Sequence, residues 1–243
     1  MTINSAANSP QSAISSNKGQ KSKVSGVILI DKPKGLTSQQ VVSKVKYLLK
    51  SPVHDSRKAG HTGTLDPMAT GLLPVCLGEA TKFSHYQLDA DKAYQATIKL
   101  GVQTDTGDAE GQTIAEKEIP AISEEDLVQV TTQFLGDIKQ VPPMYSALKK
   151  EGKKLYEYAR AGIEVEREAR PITIKQLTLE QGEAEDELLL SVTCSKGTYV
   201  RVLGEDIAQA LGTLGHLTAL RRTQVGHFDI GQAIGVDELE EQT

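Results

Sequence analysis

The sequence has few of the features that mark secreted, membrane or metal-binding proteins. Its two cysteines, Cys76 and Cys194, lie far apart among apolar or small residues, and no Cys/His cluster has zinc-site spacing. Both are predicted to be buried thiols, and no metal is expected. No apolar run is long enough to span a membrane, and the first two dozen residues contain no apolar segment of a secretory signal. We therefore expect a cytoplasmic protein with a disordered tail over residues 1–23.

Three common enzyme signatures are also missing. The sequence contains no Gly-x4-Gly-Lys-Ser/Thr phosphate loop, no Gly-x-Ser-x-Gly nucleophile motif and no zinc-deaminase pattern. These absences disfavour a nucleotide-binding enzyme. No internal repeat is visible, and 243 residues with 38% hydrophobic content are enough for one large core or two modest ones.

The net charge of -5 conceals a segregation of the two signs along the chain. Residues 229–243 hold five of the 32 acidic residues and no Lys or Arg, and the remainder of the chain is balanced. Basic residues gather in the segments 44–50, 57–58, 149–154 and 221–222. Such segregation permits a one-sided basic face that binds nucleic acid, although a single cluster is more often a solvated helix face.

Residues 60–71, with the sequence GHTGTLDPMATG, form the most distinctive segment. Three glycines and a proline within twelve residues argue against a regular helix or central strand and predict a shaped loop. Asp66 is the only carboxylate between His61 and Gly78, so this loop isolates one acid for chemistry. An Asp-Pro pair that merely starts a turn is the alternative, and loop composition alone leaves the two interpretations level.

Periodicity along the rest of the chain predicts alternating strands and helices. A strand over 24–30 enters a turn that presents Lys32 and Lys34, and a helix capped by Thr37 or Ser38 follows. The remaining elements expected are strands over 92–100, 172–180, 187–194 and 224–230 and an acidic, glycine-bearing hairpin over 102–118 that faces solvent. A short helix is expected to begin after Ser123, and a second helix, which carries Leu203, Ile207 and Leu211, is expected to follow the segment 195–201.

Residues 149–160 combine five basic residues with two acids and two tyrosines. Basic residues interleaved with aromatics suit an RNA-facing surface, whereas an amphipathic solvent-exposed helix is the alternative. Because the longer segment 149–170 has few large apolar groups to bury, we expect it to be a mobile RNA-contacting lobe. A glycine-containing loop at 195–201 presents Tyr199 and Arg201.

Four blocks of the sequence resemble, in order, bacterial tRNA pseudouridine synthases of the TruB type: residues 26–38, 60–82, 141–158 and 194–201. The resemblance implies a pseudouridine-synthase fold, which is an α+β fold with a mixed, mostly antiparallel sheet flanked by helices. It also implies isomerisation of the uridine at position 55 in the T-loop of tRNA, with tRNA as the partner and no cofactor. We expect the protein to act as a monomer.

The resemblance also implies roles for individual residues. Asp66 is similar to the catalytic aspartate of the family, and Arg201 to the arginine that pairs with it. Tyr94 resembles the aromatic residue that stacks on the target base, and we count it among the catalytic candidates. His61 resembles the histidine that helps to open the T-loop and fills the space left by the flipped nucleotide. The other substrate-binding candidates are Tyr199 and Leu220, as walls of the pocket, and Lys32 and Lys82, which serve RNA binding or local structure.

The implied chemistry explains why these residue types are needed. The bond from C1′ to N1 must break, the uracil must rotate, and the ring must rejoin through C5. A carboxylate can attack C6, attack C1′ or remove a proton from C2′, and the sequence leaves all three routes open. Each route needs an ionised Asp66 in a largely dry pocket, where an arginine such as Arg201 stabilises the charge. An extruded base also needs an aromatic residue to hold it and a side chain to fill the gap, which suits Tyr94 and His61.

Members of this family commonly continue into a small C-terminal RNA-binding domain. We therefore expect a catalytic domain over 24–232 and an acidic tail over 233–243, with that C-terminal domain absent. Either the chain is a fragment or the catalytic domain alone holds the tRNA. The competing hypothesis is a protein that binds folded RNA without chemistry. Asp66 argues against it, because a carboxylate beside a phosphate-rich ligand is unfavourable for mere binding.

Overall fold

The computed structural model describes residues 21–242, and its elements are numbered here in chain order. The strands are β1 (Ser22–Lys23), β2 (Gly26–Lys32), β3 (His54–Asp55), β4 (Ala59–His61), β5 (Thr70–Leu77), β6 (Lys92–Leu100), β7 (Val102–Thr104), β8 (Thr113–Glu116), β9 (Gly136–Gln140), β10 (Lys149–Lys150), β11 (Lys153–Lys154), β12 (Arg170–Gln181), β13 (Glu187–Cys194), β14 (Gly215–Val225), β15 (Phe228–Asp229) and β16 (Ile234–Gly235). The helices are α1 (Ser38–Leu48), α2 (Ser84–Leu88), α3 (Glu124–Phe134), α4 (Leu155–Arg160), α5 (Val200–Ala210) and α6 (Val236–Glu241), with 3-10 turns at Gly78–Phe83 and Ile230–Gln232.

One large sheet organises the molecule. Its strand order is β16-β2-β5-β14-β6-β13-β12-β9, with β4 also paired to β5 and β15 to β14. Only the pairs β16–β2 and β5–β14 within this sheet are parallel. Helix α5 packs on β14 and β6, α3 packs on β12, and α1 packs on β4 and α6. The predicted α+β class, with a mixed and mostly antiparallel sheet flanked by helices, is confirmed.

The core lies on the face of the sheet that α5 covers. On β6, Ala96, Ile98 and Leu100 are buried and alternate with more exposed residues, as expected for a strand with one packed face. Leu203 and Ile207 of α5, four residues apart on the same side of the helix, are fully buried in this core. The predicted strand over 92–100 and the predicted helix through Leu203 and Ile207 are therefore confirmed.

The predicted loop over 60–71 is shorter than expected. Residues 60–61 belong to β4 and residues 70–71 begin β5, so the loop is confined to 62–69. Gly71, at φ 103°, does not mark a loop: a Cβ there would lie 2.2 Å from the backbone oxygen of Arg222 on β14. The glycine permits close approach of two strands, and pairing with β2, β4 and β14 makes β5 a central strand.

The strand predicted over 224–230 is also wrong in its bounds. β14 begins at Gly215 and ends at Val225, and only Phe228–Asp229 continue as a short paired strand. The basic pair Arg221 and Arg222 made the preceding segment look like surface. In the fold, this segment lies between β5 and β6, where Arg222 is buried.

The described parts of both predicted tails are folded. Residues 1–20 and residue 243 lie outside the described residues, and the disorder predicted up to residue 23 is wrong for Ser22–Lys23, which pair with His54–Asp55. The predicted acidic tail is folded, because β16 pairs with β2 and α6 buries Val236 and Leu239. Lys44 on α1 forms ion pairs with acidic residues of α6. Between residues 21 and 242, no helix is both long and apolar enough to cross a membrane.

Candidate active site

The loop at 62–69 is anchored from three sides. Ser38, at the start of α1, donates a hydrogen bond to the carbonyl of Leu65 at 3.0 Å and accepts one from its amide at 2.8 Å. The amide of Gly35 donates to the carbonyl of Pro67 at 2.7 Å, and Leu65 and Met68 are buried in the core. Thr37 caps the helix, as one of the two predicted candidates, which leaves the Ser38 hydroxyl for the loop. These contacts hold the backbone on both sides of Asp66.

Arg222, on β14, supports the same loop. Its side chain is only 1% exposed, and its guanidinium donates to the carbonyls of Leu72 at 2.8 Å, Gly63 at 3.1 Å and Thr64 at 3.5 Å. A buried guanidinium with several carbonyl partners fixes their relative positions, because each lost partner would leave a buried polar group unsatisfied. In the sequence, Arg222 looks like part of an exposed basic cluster with Arg221, and this role was not predicted.

Asp66 and Arg201 form the ion pair predicted for them. The Nε of Arg201 lies 2.9 Å from Oδ2 of Asp66, and the Asp66 side chain is 38% exposed while Arg201 is buried. The contact is not the bidentate fork that an arginine can make with a carboxylate. Arg201 instead donates its other nitrogens to the carbonyls of Thr106 and Tyr145, the latter at 2.8 Å. Arg201 is therefore held in one orientation by the backbone and presents one N–H to Asp66.

Asp108 is a second acid beside Arg201. Its Oδ2 lies 3.8 Å from the Nε of Arg201, and its side chain is buried. The carboxylate also accepts hydrogen bonds from the hydroxyl of Thr106 and the amide of Glu110. The acidic and glycine-bearing sequence of residues 102–118 predicted a solvent-facing hairpin, so Asp108 was not among the predicted site residues. No local pattern distinguishes the one buried acid there from its exposed neighbours.

A cavity of about 360 Å³ opens beside this ion pair. Its walls come from the loop at 62–69, from β6, β14 and the start of α5, and from residues 145–148. Five of the predicted site residues line it: Asp66, Tyr94, Tyr199, Arg201 and Leu220. The fold thus brings together positions as far apart in sequence as 66 and 220.

Two of the tyrosines that line the cavity, Tyr94 and Tyr199, are held in different ways. Tyr94 lies on the core side of β6, where burial raises the pKa of its phenol and Arg222 partly offsets that rise in pKa. Tyr199 precedes α5, and its backbone amide and carbonyl are both bonded to the side-chain amide of buried Gln140, at 2.8 and 3.1 Å. Burial raises the pKa of Tyr199 as well. Both phenols are therefore neutral, and their rings form apolar walls.

Three predicted residues lie outside the lining of the cavity. His61 ends β4, its Nδ1 accepts a hydrogen bond from the amide of Gly63 at 3.3 Å, and burial lowers its pKa, so the imidazole is neutral. Lys82 is exposed and paired with Glu79. Lys32 is fully buried and donates hydrogen bonds to the carbonyls of Pro33, Leu36 and Pro67. This burial excludes contact with an RNA phosphate and supports the alternative that Lys32 stabilises local structure.

Lys92 is a cavity residue that sequence analysis missed. It is the first residue of β6, it is buried, and its Nζ donates to the carbonyls of Leu88 at 3.1 Å and Ala90 at 2.7 Å. Burial, and to a lesser extent Arg222, lowers the pKa of Lys92. Its position two residues before Tyr94 on the same side of the strand is the sequence signal that could have identified it.

Sequence comparisons place the chain among known proteins. Residues 50–200 match the model described as TruB family pseudouridylate synthase, N-terminal domain, and residues 201–243 match that of the tRNA pseudouridylate synthase B C-terminal domain. A tRNA pseudouridine synthase B of Psychrobacter cryohalolentis is 71% identical over 226 residues, which cover 93% of this chain and 63% of that protein. The corresponding Aromatoleum aromaticum protein is 56% identical over 221 residues, covering 91% of this chain and 70% of that protein. The chain thus spans less than two thirds of the Psychrobacter cryohalolentis protein.

Solved structures agree with this assignment. A chain from the crystal structure of a Cbf5–Nop10–Gar1 complex has 32% sequence identity and a TM-score of 0.68, over 89% of this chain and 54% of that one. A chain from an H/ACA RNP bound to a substrate RNA containing 2′-deoxyuridine has 29% identity and a TM-score of 0.65, over 89% and 52%. The predicted pseudouridine-synthase fold is confirmed. From the family matches over residues 50–243 and the close relatives, the chain belongs to the TruB family of pseudouridylate synthases.

Proposed function

We propose that this chain converts uridine to pseudouridine at position 55 in the T-loop of tRNA, with Asp66 as the essential carboxylate. The observation that carries the proposal is the Asp66–Arg201 ion pair at the wall of a cavity that Tyr94 also lines. A binding protein has no need of an arginine-held carboxylate in a cavity of this kind. The relatives named tRNA pseudouridine synthase B support tRNA as the substrate.

Arg201 serves the reaction by keeping the Asp66 carboxylate charged and oriented. Because Arg201 engages Oδ2, the other carboxylate oxygen is left for the substrate. Attack on C6, attack on C1′ and removal of the C2′ proton all begin from this charged oxygen, so the same geometry serves each route. The reaction then breaks the C1′–N1 bond and forms a C1′–C5 bond. C5 loses its proton and N1 gains one, so no cofactor or net water is consumed.

The cavity serves the reaction by holding the uracil while it is detached. The Tyr94 ring provides a face on which the extruded base stacks, and Leu220 and Tyr199 close the apolar walls. Retention matters because a free base must turn and rejoin the same ribose. His61 lies just outside, at the start of the loop, and its neutral ring fills the space that the extruded nucleotide leaves.

The partner in this proposal is the folded T-arm of one tRNA, bound by a monomer in the cytoplasm. The lobe at 149–170 contributes basic and aromatic side chains beside the cavity, where residues 145–148 form part of the wall. Asp66, Arg201 and Tyr94 all line the cavity from within one chain, so the proposed chemistry needs no residue of a second copy.

The test is incubation of the protein with an unmodified tRNA transcript, followed by mapping of pseudouridine at single-nucleotide resolution. We expect pseudouridine at position 55, and none in a transcript that carries cytidine there. Tight binding of the unmodified transcript without any pseudouridine would overturn the proposal and favour the non-catalytic RNA-binding alternative.

A further inference from the structure

The segment between β5 and β6 exposes an unusual group of rings. Phe83 is 62% exposed, Tyr86 is 66% exposed and Leu88 is 44% exposed, all within six residues, and His85 is exposed beside them. We call Phe83, His85, Tyr86 and Leu88 the aromatic ledge. Phe accounts for three residues of the whole chain and Tyr for seven, so a cluster of this kind is not a consequence of composition. Contiguous exposed apolar side chains commonly mark binding surfaces.

The rings of the aromatic ledge are arranged against one another. The ring centroids of Phe83 and Tyr86 are 6.5 Å apart with planes 18° from parallel, and those of His85 and Tyr86 are 4.0 Å apart. His85 is further held through a contact between its Nδ1 and the carbonyl of Lys82 at 3.1 Å. Mutual packing of this kind limits the rotamers of exposed rings, so less entropy is lost when they bind a ligand.

The aromatic ledge is continuous with the candidate active site. Leu88 belongs to the ledge and also lines the cavity. Buried Lys92, itself in the cavity wall, donates to the carbonyls of Leu88 and Ala90 and so fastens the end of α2 to the start of β6. A molecule that places one group in the cavity therefore places its adjoining groups near the ledge.

Several lysines surround the aromatic ledge, and each is in an exposed ion pair. These pairs are Lys82 with Glu79, Lys175 with Asp91, and Lys196 with Asp89. Exposed pairs of this type are weak, so a lysine can exchange its carboxylate for a phosphate at little cost. Aromatic faces beside exchangeable cations are the combination that binds unpaired nucleotides.

The size of the aromatic ledge favours RNA over a protein partner. A large aromatic side chain buries about 150–250 Å² at most, so two such rings and one leucine fall short of the roughly 800 Å² per partner in a stable protein interface. A base needs only one ring face to stack upon. The area is therefore adequate for one or two nucleotides and too small for a stable second copy of the chain.

We propose that the aromatic ledge stacks unpaired bases of the substrate RNA that adjoin the extruded uridine. The inference rests on the proposed function and deepens it, because extrusion of one nucleotide removes the stacking partner of its neighbours. Besides His61, which fills the vacated space, the ledge offers these neighbours the rings of Tyr86 and Phe83 to stack on, so the loop stays open while the uracil is in the cavity.

The test measures the affinity of the protein for a T-arm hairpin, with variants at exposed rings. We expect Tyr86→Ala and Phe83→Ala each to weaken binding by about 5- to 150-fold, the range that corresponds to the loss of one base–aromatic stack. Tyr86→Phe keeps a ring and should bind like the wild type. Tyr47→Ala is the matched control, because Tyr47 is 77% exposed on α1 and lies outside the cavity lining.

A direct probe of stacking is available because the sequence contains no tryptophan. Tyr86→Trp introduces a single tryptophan, which can be excited selectively and whose emission should be quenched by the hairpin, whereas the emission of Tyr47→Trp should change little. Wild-type affinity of both alanine variants, or equal quenching at positions 86 and 47, would overturn the proposal. If the ledge variants instead alter self-association of the free protein, the ledge is an interface between copies.

These outcomes separate the ledge from the proposed function. Pseudouridine formation by the wild type together with wild-type affinity of the alanine variants would refute the ledge and leave the function standing. Ledge-dependent binding without pseudouridine formation would refute the proposed function and leave the ledge as an RNA-binding surface.

Discussion

At the scale of single residues, the proposed reaction depends first on the charge of Asp66. Asp66→Asn keeps the shape of the side chain and removes the carboxylate, so pseudouridine formation should be abolished while tRNA binding stays largely intact. The measurement is single-turnover product formation beside a binding titration. Turnover within tenfold of the wild type, which corresponds to only about 1.4 kcal/mol of barrier, would contradict the catalytic role.

The role of Arg201 is expected to require a guanidinium, because this side chain makes several contacts at once. Its guanidinium contacts Asp66 and two backbone carbonyls at once, from Thr106 and Tyr145. In Arg201→Lys, one flexible ammonium cannot make all three contacts, so kcat should fall by about tenfold or more. The control is the urea midpoint of the variant, since a loss of kcat with an unchanged midpoint separates chemistry from folding. Wild-type kinetics would show that Arg201 does not orient Asp66.

Because of Lys32, the free energy of unfolding of the protein should depend on pH in the alkaline range. Burial lowers the pKa of its ammonium from 10.5 to about 8, so between these values the unfolded state binds a proton that the folded state has released. Stability therefore rises with pH across this window, by about 1.4 kcal/mol per pH unit at most. From pH 7 to pH 10, we expect the wild type to gain about 2 kcal/mol relative to Lys32→Met.

Urea unfolding of both proteins at the two pH values measures this difference. The exposed neighbour Lys34 provides the control, because Lys34→Met should track the wild type. If the difference in free energy of unfolding between the wild type and Lys32→Met were the same at pH 7 and pH 10, Lys32 would not titrate in this range.

At the scale of elements, the lobe at 149–170 is the least supported part of the fold. It contains a short hairpin, β10–β11, and the six-residue helix α4, and Leu155 is its buried hydrophobic residue among those described. Its other contacts include hydrogen bonds from Arg167 to the carbonyl of Pro142 and from Tyr158 to the carbonyl of Lys150, and cations over the rings of Tyr156 and Tyr158. Such contacts contribute little when they are exposed, so the lobe should open more readily than the sheet.

Limited trypsin digestion should therefore cut the lobe first. Its lysines and arginines offer many sites, and bound tRNA should protect them because phosphates and bases occupy the same side chains. The experiment compares digestion without RNA, with tRNA and with an unstructured oligomer at equal phosphate concentration. Equal cleavage in the presence and absence of tRNA would count against an RNA-ordered lobe.

At the scale of the whole molecule, binding should combine a salt-dependent charge contact with recognition of shape. Buried Lys32 and Arg222 cannot meet phosphates, so the contacts must come from exposed cations, among them Lys82, Lys149 and Lys153. Each neutralised phosphate releases counterions, and affinity should fall steeply with salt. Selectivity must then come from the folded T-arm, because the cavity accepts one base and cannot read a long sequence.

A competition series tests this expectation. An isolated T-arm hairpin, the same hairpin with a scrambled loop and a linear oligomer are each titrated at two salt concentrations. The intact hairpin should compete best at both, and its advantage over the linear oligomer should persist at high salt. Equal competition by the linear oligomer would mean that recognition is electrostatic only, even if Asp66 proved essential.

Local sequence determined those parts of the molecule that depend on neighbours along the chain. The caps at Thr37 and Ser123 were predictable because a capping hydroxyl bonds to an amide three residues away. The strand through Tyr94 was predictable from alternation. Asp66 stood out because its loop contains no other charge, and the resemblance to a family added its pairing with Arg201.

Only the tertiary structure decided which charged groups are buried. Arg222 looks like an ordinary basic residue in the sequence, yet the carbonyls of Leu72 and Gly63, both distant in sequence, satisfy it. Lys32 donates to the nearby carbonyls of Pro33 and Leu36 and to the distant carbonyl of Pro67 in the loop at 62–69. Asp108 becomes a site residue only because its hairpin packs beside Arg201. Gly71 marks strand contact and not a turn, since β14 approaches it closely. Burial and polar satisfaction depend on contacts across the sheet, and no local pattern encodes which distant strand will lie alongside.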